Sequence, residues 1–387
     1  MLRISRFTVN HSMRAVLGVR RMSSAMTKAT QGGVTSYWTQ QEISDIYHTP
    51  LMELVHQAQL QHRRFHDPRE VQLCTLLNIK TGGCSEDCGY CAQLSRYDTG
   101  VKAEKMVDIE TVMAKARQAR ANGLTRFCMG AAWREMKGRK LAMKRIGEMV
   151  TRINDELGME TCVTLGMIDE AQAQQLAKAG LTAYNHNIDT SREHYPNVIT
   201  TRSFDDRLNT IKNVSDAGIK VCTGGILGLG ETEQDHVSFL HTLATMTPHP
   251  ELLPINRLVP IKGTPVEATM ATLVDQTRKL SFDAILRTIA TARLIMPQLI
   301  VRLAAGRYTM KEPEQFLCFM AGCNAIFTGE RMLTTMCSGW DEDKQMLKKW
   351  GMTPMAPAPA PPRQPVQQPV QQPLHQAPEP QREAVVM

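Results

Sequence analysis

Long apolar runs are missing from this sequence of 387 residues, because no stretch approaches the roughly eighteen consecutive apolar residues that a membrane-spanning helix needs. Acids are missing from residues 1–41, which carry six basic groups before the first acid at Glu42. Subtracting these six from the net charge of +7 leaves +1 for the other 346 residues. The sequence therefore predicts no membrane insertion and gives no argument for nucleic-acid binding.

Residues 1–41 are predicted to form a flexible leader. They are rich in Arg, Ser and Thr, and they lack the continuous apolar region of a secretory signal. That composition is typical of an organelle transit peptide and favours the mitochondrial matrix, with removal somewhere between residues 20 and 40. The alternative interpretation is a disordered basic tail.

Residues 353–387 are predicted to form a disordered tail rich in Pro and Gln. Ten prolines and seven glutamines fall within residues 354–387, and such a segment propagates neither a helix nor a sheet ladder. It is interpreted either as a ligand for a proline-reading domain or as a dispensable extension. The folded domain then covers residues 42–352.

Short β-like runs alternate with helix-like runs through this domain. The eight predicted strands are residues 73–79, 125–129, 160–165, 182–187, 219–223, 253–258, 299–304 and 325–328. Between them, apolar residues recur at helical spacing, and residues suited to helix N-caps stand at Asp108, Asp169, Ser203 and Asp275.

This alternation predicts an α/β fold. Strands that alternate with helices pair in parallel through right-handed crossovers, and eight such units close into a (β/α)8 TIM-type barrel. The active site of such a barrel lies at the carboxyl ends of its strands. An open doubly wound sheet is the competing fold, but GGILGLG at 224–230 does not fit its phosphate-binding glycine pattern.

Three of the ten cysteines lie within eight residues, at Cys84, Cys88 and Cys91. The spacing C-x3-C-x2-C follows the first predicted strand and a glycine pair. In a chain of this size, such clustering favours metal or redox chemistry over disulfides. Soft sulfur ligands select zinc, copper(I) or iron–sulfur clusters. Structural zinc and a simple electron carrier are the alternatives to a cluster with an open iron.

Three further cysteines, Cys128, Cys162 and Cys222, fall within predicted strands. Because strand side chains alternate between faces, all three could point into the barrel and converge on its axis. The other interpretation is that they are small buried apolar residues. Arg302 also lies in a predicted strand, and a buried arginine requires an anionic partner.

The cysteine triplet, with the aromatic Tyr90 before its last member, resembles the signature of the radical S-adenosylmethionine family. The resemblance implies a [4Fe–4S] cluster with three protein ligands, whose open iron chelates the methionyl amine and carboxylate of S-adenosylmethionine. One electron from the cluster then cleaves the sulfonium and produces a 5′-deoxyadenosyl radical.

Across residues 45–352 the chain resembles the biotin synthase family of that superfamily. The blocks that carry the resemblance are CSEDCGYCAQ, RFCMGAAWR, YNHNIDTS, KVCTGGILGLGE, INRLVPIKGTP, VRLAAGR and CFMAGCNAIFTG, in this order. It implies that Cys84, Cys88 and Cys91 bind the [4Fe–4S] cluster. It also implies that Cys128, Cys162, Cys222 and Arg302 bind a [2Fe–2S] cluster, which donates sulfur to dethiobiotin.

The resemblance implies roles for further residues around these clusters. Asn187 and Asp189 are expected to hold the ribose hydroxyls of S-adenosylmethionine, and Arg207 to lie near its carboxylate. Asn185 and Asn256 are expected to contact the ureido ring of dethiobiotin, and Thr334 and Thr335 its carboxylate tail. The small residues Gly224 and Gly225, with Tyr90, are expected to border the cofactor site. A capping or turn role is the alternative for each polar residue.

Some positions depart from the family pattern. Met336 and Cys337 follow Thr335 where a proline is usual, and Cys323 replaces an alanine-like residue. Cys74, Cys318, Cys323 and Cys337 are interpreted as non-ligands.

The implied partners are a one-electron reductant resembling ferredoxin or flavodoxin, the iron–sulfur assembly machinery, and a second copy in a homodimer. The rival functions are a different radical S-adenosylmethionine enzyme and a non-catalytic zinc or iron–sulfur protein. Lipoyl synthase would be expected to carry a second cysteine triplet near its N-terminus, and no cysteine precedes Cys74.

Overall fold

The structure is a computed structural model, and it describes residues 23–275, 278–329, 331–332 and 335–356. Residues 1–22 of the predicted leader and residues 357–387 of the predicted tail lie outside the described residues. None of the helices in the described ranges is long and apolar enough to cross a bilayer.

A closed barrel of eight parallel strands forms the centre of the molecule. Its strands are β1 (Glu70–Lys80), β2 (Arg126–Ala131), β3 (Glu160–Thr164), β4 (Ala183–Asn185), β5 (Lys220–Cys222) continued by β6 (Gly225–Leu227), β7 (Leu252–Arg257), β8 (Ile300–Leu303) and β9 (Ala325–Phe327). They pair in chain order, and β9 pairs with β1 to close the ring. The predicted TIM-type barrel is confirmed, and all eight predicted strands are present.

The fifth barrel strand is split by a short interruption that the sequence analysis did not anticipate. Both halves pair in parallel with β7, through Cys222 opposite Leu252 and Gly225 opposite Ile255. A Cβ atom added at Gly224 would lie 2.1 Å from the carbonyl oxygen of Pro254. Glycine at this position therefore lets β7 approach the interrupted strand closely.

Twelve helices cover the described chain. They are α1 (Ser24–Gln31), α2 (Gln40–Tyr47), α3 (Leu51–Phe65), α4 (Ile109–Ala121), α5 (Lys140–Leu157), α6 (Glu170–Lys178), α7 (Phe204–Asp216), α8 (Glu233–Ala244), α9 (Pro265–Thr272), α10 (Phe282–Ile295), α11 (Glu312–Met320) and α12 (Trp340–Lys349).

Three of the four predicted N-caps start a helix. The side chains of Asp108, Asp169 and Ser203 accept hydrogen bonds from the first-turn amides of α4, α6 and α7. Asp275 does not cap α10, which begins later and has Ser281 as its cap; residues 276–277, which follow Asp275, lie outside the described residues, so its capping role stays a prediction. The serine oxygen accepts from the amide of Ala284, which satisfies a donor that the helix itself leaves free.

The ordered body begins before residue 42, where the predicted leader ended. Helix α1 buries Met26 and two alanines of one face, and Lys28 donates to the Glu42 carboxylate at 2.8 Å. The indole of Trp38 is buried as well. The end of the predicted leader was placed at the first acidic residue. The distribution of charge does not show that an apolar face of α1 packs on the barrel helices.

Two short pieces follow the barrel. Strands β10 (Arg331–Met332) and β11 (Thr335–Met336) form an antiparallel pair, and β12 (Thr353–Pro354) adds in parallel to the start of β1. Thr334 lies outside the described residues, as does the side chain of Thr335, so their substrate-binding role stays a prediction.

The amino ends of the strands are closed by a buried ionic group. Arg126 at the start of β2 is fully buried, its Nε donates to Glu160 at 2.6 Å, and its Nη2 donates to Glu251 at 2.9 Å. The two carboxylates compensate the buried guanidinium. The barrel is thereby plugged at one end, and the opposite end remains for ligands.

One buried histidine predicts a pH dependence of stability. His62 on α3 is 1% exposed, and neither ring nitrogen has a hydrogen-bond partner among the described residues. Burial, reinforced by the charge of Arg293, lowers the pKa of His62 to about 3. Below about pH 6.5, His62 therefore binds a proton in the unfolded chain but not in the folded chain. This difference in proton binding lowers the free energy of unfolding by about 2 kcal/mol at pH 5.

Urea unfolding at pH 7 and pH 5 checks this expectation. The wild-type free energy of unfolding should fall between the two values by about 2 kcal/mol more than that of His62→Leu. The matched control is His56→Leu, at an exposed position of the same helix, which should retain the wild-type dependence. Equal pH dependence in all three proteins would contradict the assignment.

Candidate active site

A cavity of about 310 Å³ opens at the carboxyl ends of the barrel strands. Most of the residues predicted for the site line it: Cys84, Cys88, Tyr90, Cys91, Cys128, Cys162, Asn185, Asn187, Asp189, Arg207, Cys222, Asn256 and Arg302. The cavity therefore brings together side chains from six barrel strands, from the segments that follow strands and from helix α7. Barrels of this type have their active sites at this end.

The first three thiols lie in the loop that follows β1. The amide of Cys84 donates to the Gln93 carbonyl at 3.0 Å, and the amide of Gly89 donates to Val198 at 2.9 Å, so the loop is anchored on both sides. Gly82 has a φ of 64°, and a Cβ atom there would lie 2.6 Å from the Lys102 carbonyl oxygen. The glycine allows the tight wrap of this loop.

Cys84 and Cys88 are buried and Cys91 is half-buried, and all three thiols resist ionisation without a cation. Burial raises the pKa of Cys88 to about 12 and that of Cys91 to about 11, and it also raises the pKa of Cys84. No three His, Cys, Asp or Glu side chains in the described ranges stand close enough together to hold one metal ion. The three thiols border a shared cavity instead. A cationic centre that spans this space would stabilise the thiolates and displace their protons.

The second set of cysteines lies inside the barrel, on strands β2, β3 and β5. Cys128 on β2 pairs directly with Cys162 on β3, and Cys222 on β5 pairs with Asn185 on β4. All three cysteines are at most 3% exposed. Hydrogen bonding to Cys162 and burial together raise the pKa of Cys128 to about 12. The sulfur atoms therefore form one contiguous group rather than separate core positions.

Arg302 on β8 completes this group. It is 1% exposed, and its guanidinium lies over the ring of Phe327 at 4.6 Å from the ring centre. Its Nε is buried without a hydrogen-bond partner among the described residues. A buried cation with an unpaired N–H beside three thiols calls for an anionic ligand, and an anionic sulfide-bearing cluster fits that need.

Cys74 on β1 belongs to the inner group, although the sequence analysis set it aside. It is fully buried, it accepts a hydrogen bond from Nη2 of Arg302 at 3.0 Å, and it packs with Cys128 and Cys162. The period of two along β1 could have indicated it. Leu76 pairs with Cys128, and Cys74 lies two positions earlier on the same face.

Asp189 and Arg207 form a buried ion pair at the cavity wall. Tyr90 donates to the Asp189 carboxylate at 2.8 Å, and Nη1 of Arg207 donates to the Asn187 carbonyl at 2.5 Å. Burial acts to lower the pKa of Arg207, but the Asp189 carboxylate and the smaller contributions of neighbouring tyrosines and a thiol together outweigh burial and raise this pKa. Asp189 has a φ of 67°, a conformation that only a strongly constrained non-glycine residue keeps.

The two asparagines that are predicted to bind the substrate make different hydrogen bonds within the protein. Asn185 accepts from the Cys222 thiol at 3.2 Å and donates to Thr164 at 3.1 Å, so it borders the inner thiols. Asn256 donates to the Gly225 carbonyl at 2.9 Å and accepts from the Ala305 amide at 3.1 Å. The amide of Asn256 thus ties β7 to its neighbours and has one free N–H and one lone pair left for a ligand.

Gly224 and Gly225 are not among the residues that line the cavity. A Cβ atom at Gly225 would lie 2.7 Å from the Asp189 carbonyl oxygen and 2.8 Å from the Phe239 ring. Both glycines thus allow close backbone packing, and their place at the cofactor site stays a prediction.

Two known families match successive parts of the chain. The Radical SAM superfamily matches residues 78–243, and the Biotin and Thiamin Synthesis associated domain matches residues 254–353. The mitochondrial biotin synthase of Saccharomyces cerevisiae is 70% identical over 318 residues, which are 82% of this chain and 84% of that protein. The chain belongs to the biotin synthase family.

Other members are similar over nearly the same span. The mitochondrial biotin synthases of Emericella nidulans and Arabidopsis thaliana are 56% and 52% identical to this chain. They cover 90% and 87% of it, and the matched segments are 86% of each relative. These names confirm the mitochondrial localisation that the leader composition predicts.

Solved structures of other enzymes share the barrel. Methylornithine synthase has a TM-score of 0.69 at 18% identity, covering 87% of this chain and 98% of that one. A HydG maturase of the [FeFe]-hydrogenase has a TM-score of 0.72 at 16% identity, covering 86% and 75%. At such identities the likeness shows the fold alone.

Membership in the biotin synthase family confirms several predictions together. The chain is a sulfurtransferase of the radical S-adenosylmethionine class, and its cofactors are S-adenosylmethionine, a [4Fe–4S] cluster and a [2Fe–2S] cluster. The rival interpretations as a zinc protein or an electron carrier do not describe this family.

Three residues that line the cavity were not predicted as site residues from the sequence: Glu86, His186 and Arg202. Glu86 is 2% exposed, and its carboxylate lies 3.5 Å from Nε of Arg202. Burial, followed by the charge of Arg202, lowers the pKa of His186 well below its usual value, so the ring is neutral. Glu86 stands inside the cysteine triplet itself, which was the available signal.

Proposed function

We propose that this chain converts dethiobiotin to biotin, with its two predicted clusters bound at separate places in one cavity. Cys84, Cys88 and Cys91 hold the [4Fe–4S] cluster in the loop after β1. Cys128, Cys162, Cys222 and Arg302 hold the [2Fe–2S] cluster between the strands. The observation that carries this proposal is that all seven side chains line one continuous cavity.

When bound, the larger cluster supplies the electron that cleaves S-adenosylmethionine, and the smaller cluster supplies the sulfur. The protein's own groups bind and orient the reactants. Asp189 and Asn187 accept from the ribose hydroxyls, and Arg207 donates to the methionyl carboxylate. The Asp189–Arg207 ion pair holds both side chains at the cavity wall before the ligand arrives.

Dethiobiotin is proposed to bind between the two clusters. Asn185 lies next to the Cys222 thiol, so its amide would place the ureido ring beside the inner thiols. An amide donates and accepts at once, which complements a urea. The apolar side chains of Ile226, Leu258 and Val259 complete the wall and exclude water from a reactive carbon centre.

We also propose partners for the enzyme and a division of its chain. A ferredoxin- or flavodoxin-like protein supplies the electrons, the iron–sulfur assembly machinery loads both clusters, and the enzyme is a homodimer. The chain is divided into a leader, a catalytic domain and a Pro/Gln-rich tail. The packing of α1 on the body favours removal of the leader before Ser23.

Anaerobic turnover tests the proposed function. The reconstituted full chain is supplied with dethiobiotin, S-adenosylmethionine and a chemical one-electron reductant, and products are detected by mass spectrometry. Biotin and 5′-deoxyadenosine should both accumulate and should depend on the reductant. Formation of 5′-deoxyadenosine without biotin from the fully loaded enzyme would contradict the assigned substrate.

A further inference from the structure

Two side chains of β1 hold one nitrogen of the Arg302 guanidinium. Its Nη2 donates to Oε1 of Gln72 at 2.7 Å and to Sγ of Cys74 at 3.0 Å. The Cys74 thiol in turn donates to the same Gln72 oxygen at 3.5 Å. Gln72 and Cys74 are two positions apart on the strand, so their side chains project from one face. All three residues are at most 3% exposed.

The rest of the guanidinium is left available to a ligand. Phe327 covers one face of the plane, and the buried Nε has no hydrogen-bond partner among the described residues. A guanidinium is planar with its N–H groups in a fixed arrangement, so two acceptors on Nη2 set the direction of the other nitrogens. The same cavity is lined by Arg302, Cys128 and Cys222.

We propose that Gln72 and Cys74 are positioning residues, which hold Nη2 of Arg302 and so turn the remaining N–H edge of the guanidinium toward the smaller cluster. The inference rests on the proposed function, because it presupposes that the inner thiols carry this cluster. Two irons with two bridging sulfides need four protein ligands, and three cysteines with Arg302 already supply them. Cys74 therefore acts through Arg302 rather than as a fifth ligand.

The identity of residue 74 should then matter through its ability to accept a hydrogen bond. Serine keeps an acceptor at this position, and alanine removes it. Gln72→Met removes the other acceptor with little change in volume. Partners that orient a metal ligand typically alter metal affinity or activity by roughly tenfold to a hundredfold when they are removed.

The test uses the full chain, anaerobically reconstituted, as wild type, Cys74→Ala, Cys74→Ser and Gln72→Met. Cys323→Ala is the matched control, since Cys323 is equally buried and does not line the cavity. The readouts are the Mössbauer and visible absorption spectra of the smaller cluster, and the rate at which a chelator removes its iron. Circular dichroism and thermal unfolding report whether each variant is folded.

Cys74→Ala and Gln72→Met should lose the smaller cluster to the chelator roughly tenfold to a hundredfold faster than wild type, with an altered spectrum. Cys74→Ser and Cys323→Ala should behave like wild type. The inference is overturned if folded Cys74→Ala and Gln72→Met keep the wild-type spectrum and rate. It is also overturned if Cys74→Ser shows the spectrum of a lost sulfur ligand. A wild type without any second cluster would instead contradict the proposed function.

Discussion

Replacing Cys84 with alanine is expected to abolish both biotin and 5′-deoxyadenosine formation. Among the described residues, three thiols line the outer part of the cavity, and a [4Fe–4S] cluster that keeps one iron open requires all three. Loss of one ligand removes the electron source for cleavage of S-adenosylmethionine, and no other group in the cavity can replace it. The measurement is anaerobic product analysis together with iron and sulfide content.

Cys318→Ala is the matched control for this variant. Cys318 is a buried thiol on α11 and does not line the cavity, so the same substitution there should leave products and iron content unchanged. A Cys84→Ala protein that still forms biotin at the wild-type rate would contradict the assignment of the outer thiols.

Removing an inner thiol should have a different effect. Cys162→Ala and Cys222→Ala are each expected to lose the smaller cluster and to form no biotin, while they still release 5′-deoxyadenosine from S-adenosylmethionine. Neither change affects the outer thiols or the Asp189–Arg207 pair. The radical should therefore still form, but it should no longer lead to biotin.

Iron and sulfide analysis with Mössbauer spectroscopy separates these two classes of variant. The inner variants should retain only the [4Fe–4S] signal. An unchanged cluster inventory in Cys162→Ala and Cys222→Ala would show that these cysteines are simply small buried residues, which is how free cysteines in a core usually behave.

Much of the fold was predictable because its signals are local. The eight strands are visible in the sequence as short apolar runs, and N-cap residues such as Asp108 and Ser203 indicate where the intervening helices start. Parallel pairing then follows from the alternation of strands and helices. The start of α10 shows the limit of this reasoning, because its cap is Ser281, which the sequence analysis did not single out.

The outer thiols were predictable from spacing, whereas the support of the inner site was not. Cys74 gains its significance from Arg302, which lies 228 positions later in the chain. Only barrel closure brings their strands, β1 and β8, to either side of β9. The sequence likewise does not show that the small size of Gly224 allows the close approach of Pro254. Such roles depend on which strands become neighbours.

The packing of α1 on the body was not predicted, for a different reason. The basic, acid-free composition of residues 1–41 suits a leader throughout, yet Met26 and Trp38 pack on the body. Composition indicates the compartment to which a chain is targeted, whereas burial of a helix depends on an apolar face only a few residues wide.

The most direct test of the account follows the sulfur atom. The smaller cluster is reconstituted with heavy-isotope sulfide, free sulfide is removed, and a single anaerobic turnover with dethiobiotin is analysed by mass spectrometry. The account predicts that biotin carries the heavy sulfur in the wild type and that Cys162→Ala yields no biotin. Biotin with sulfur of natural isotopic composition, formed by an enzyme whose inner cluster is fully labelled, would contradict it.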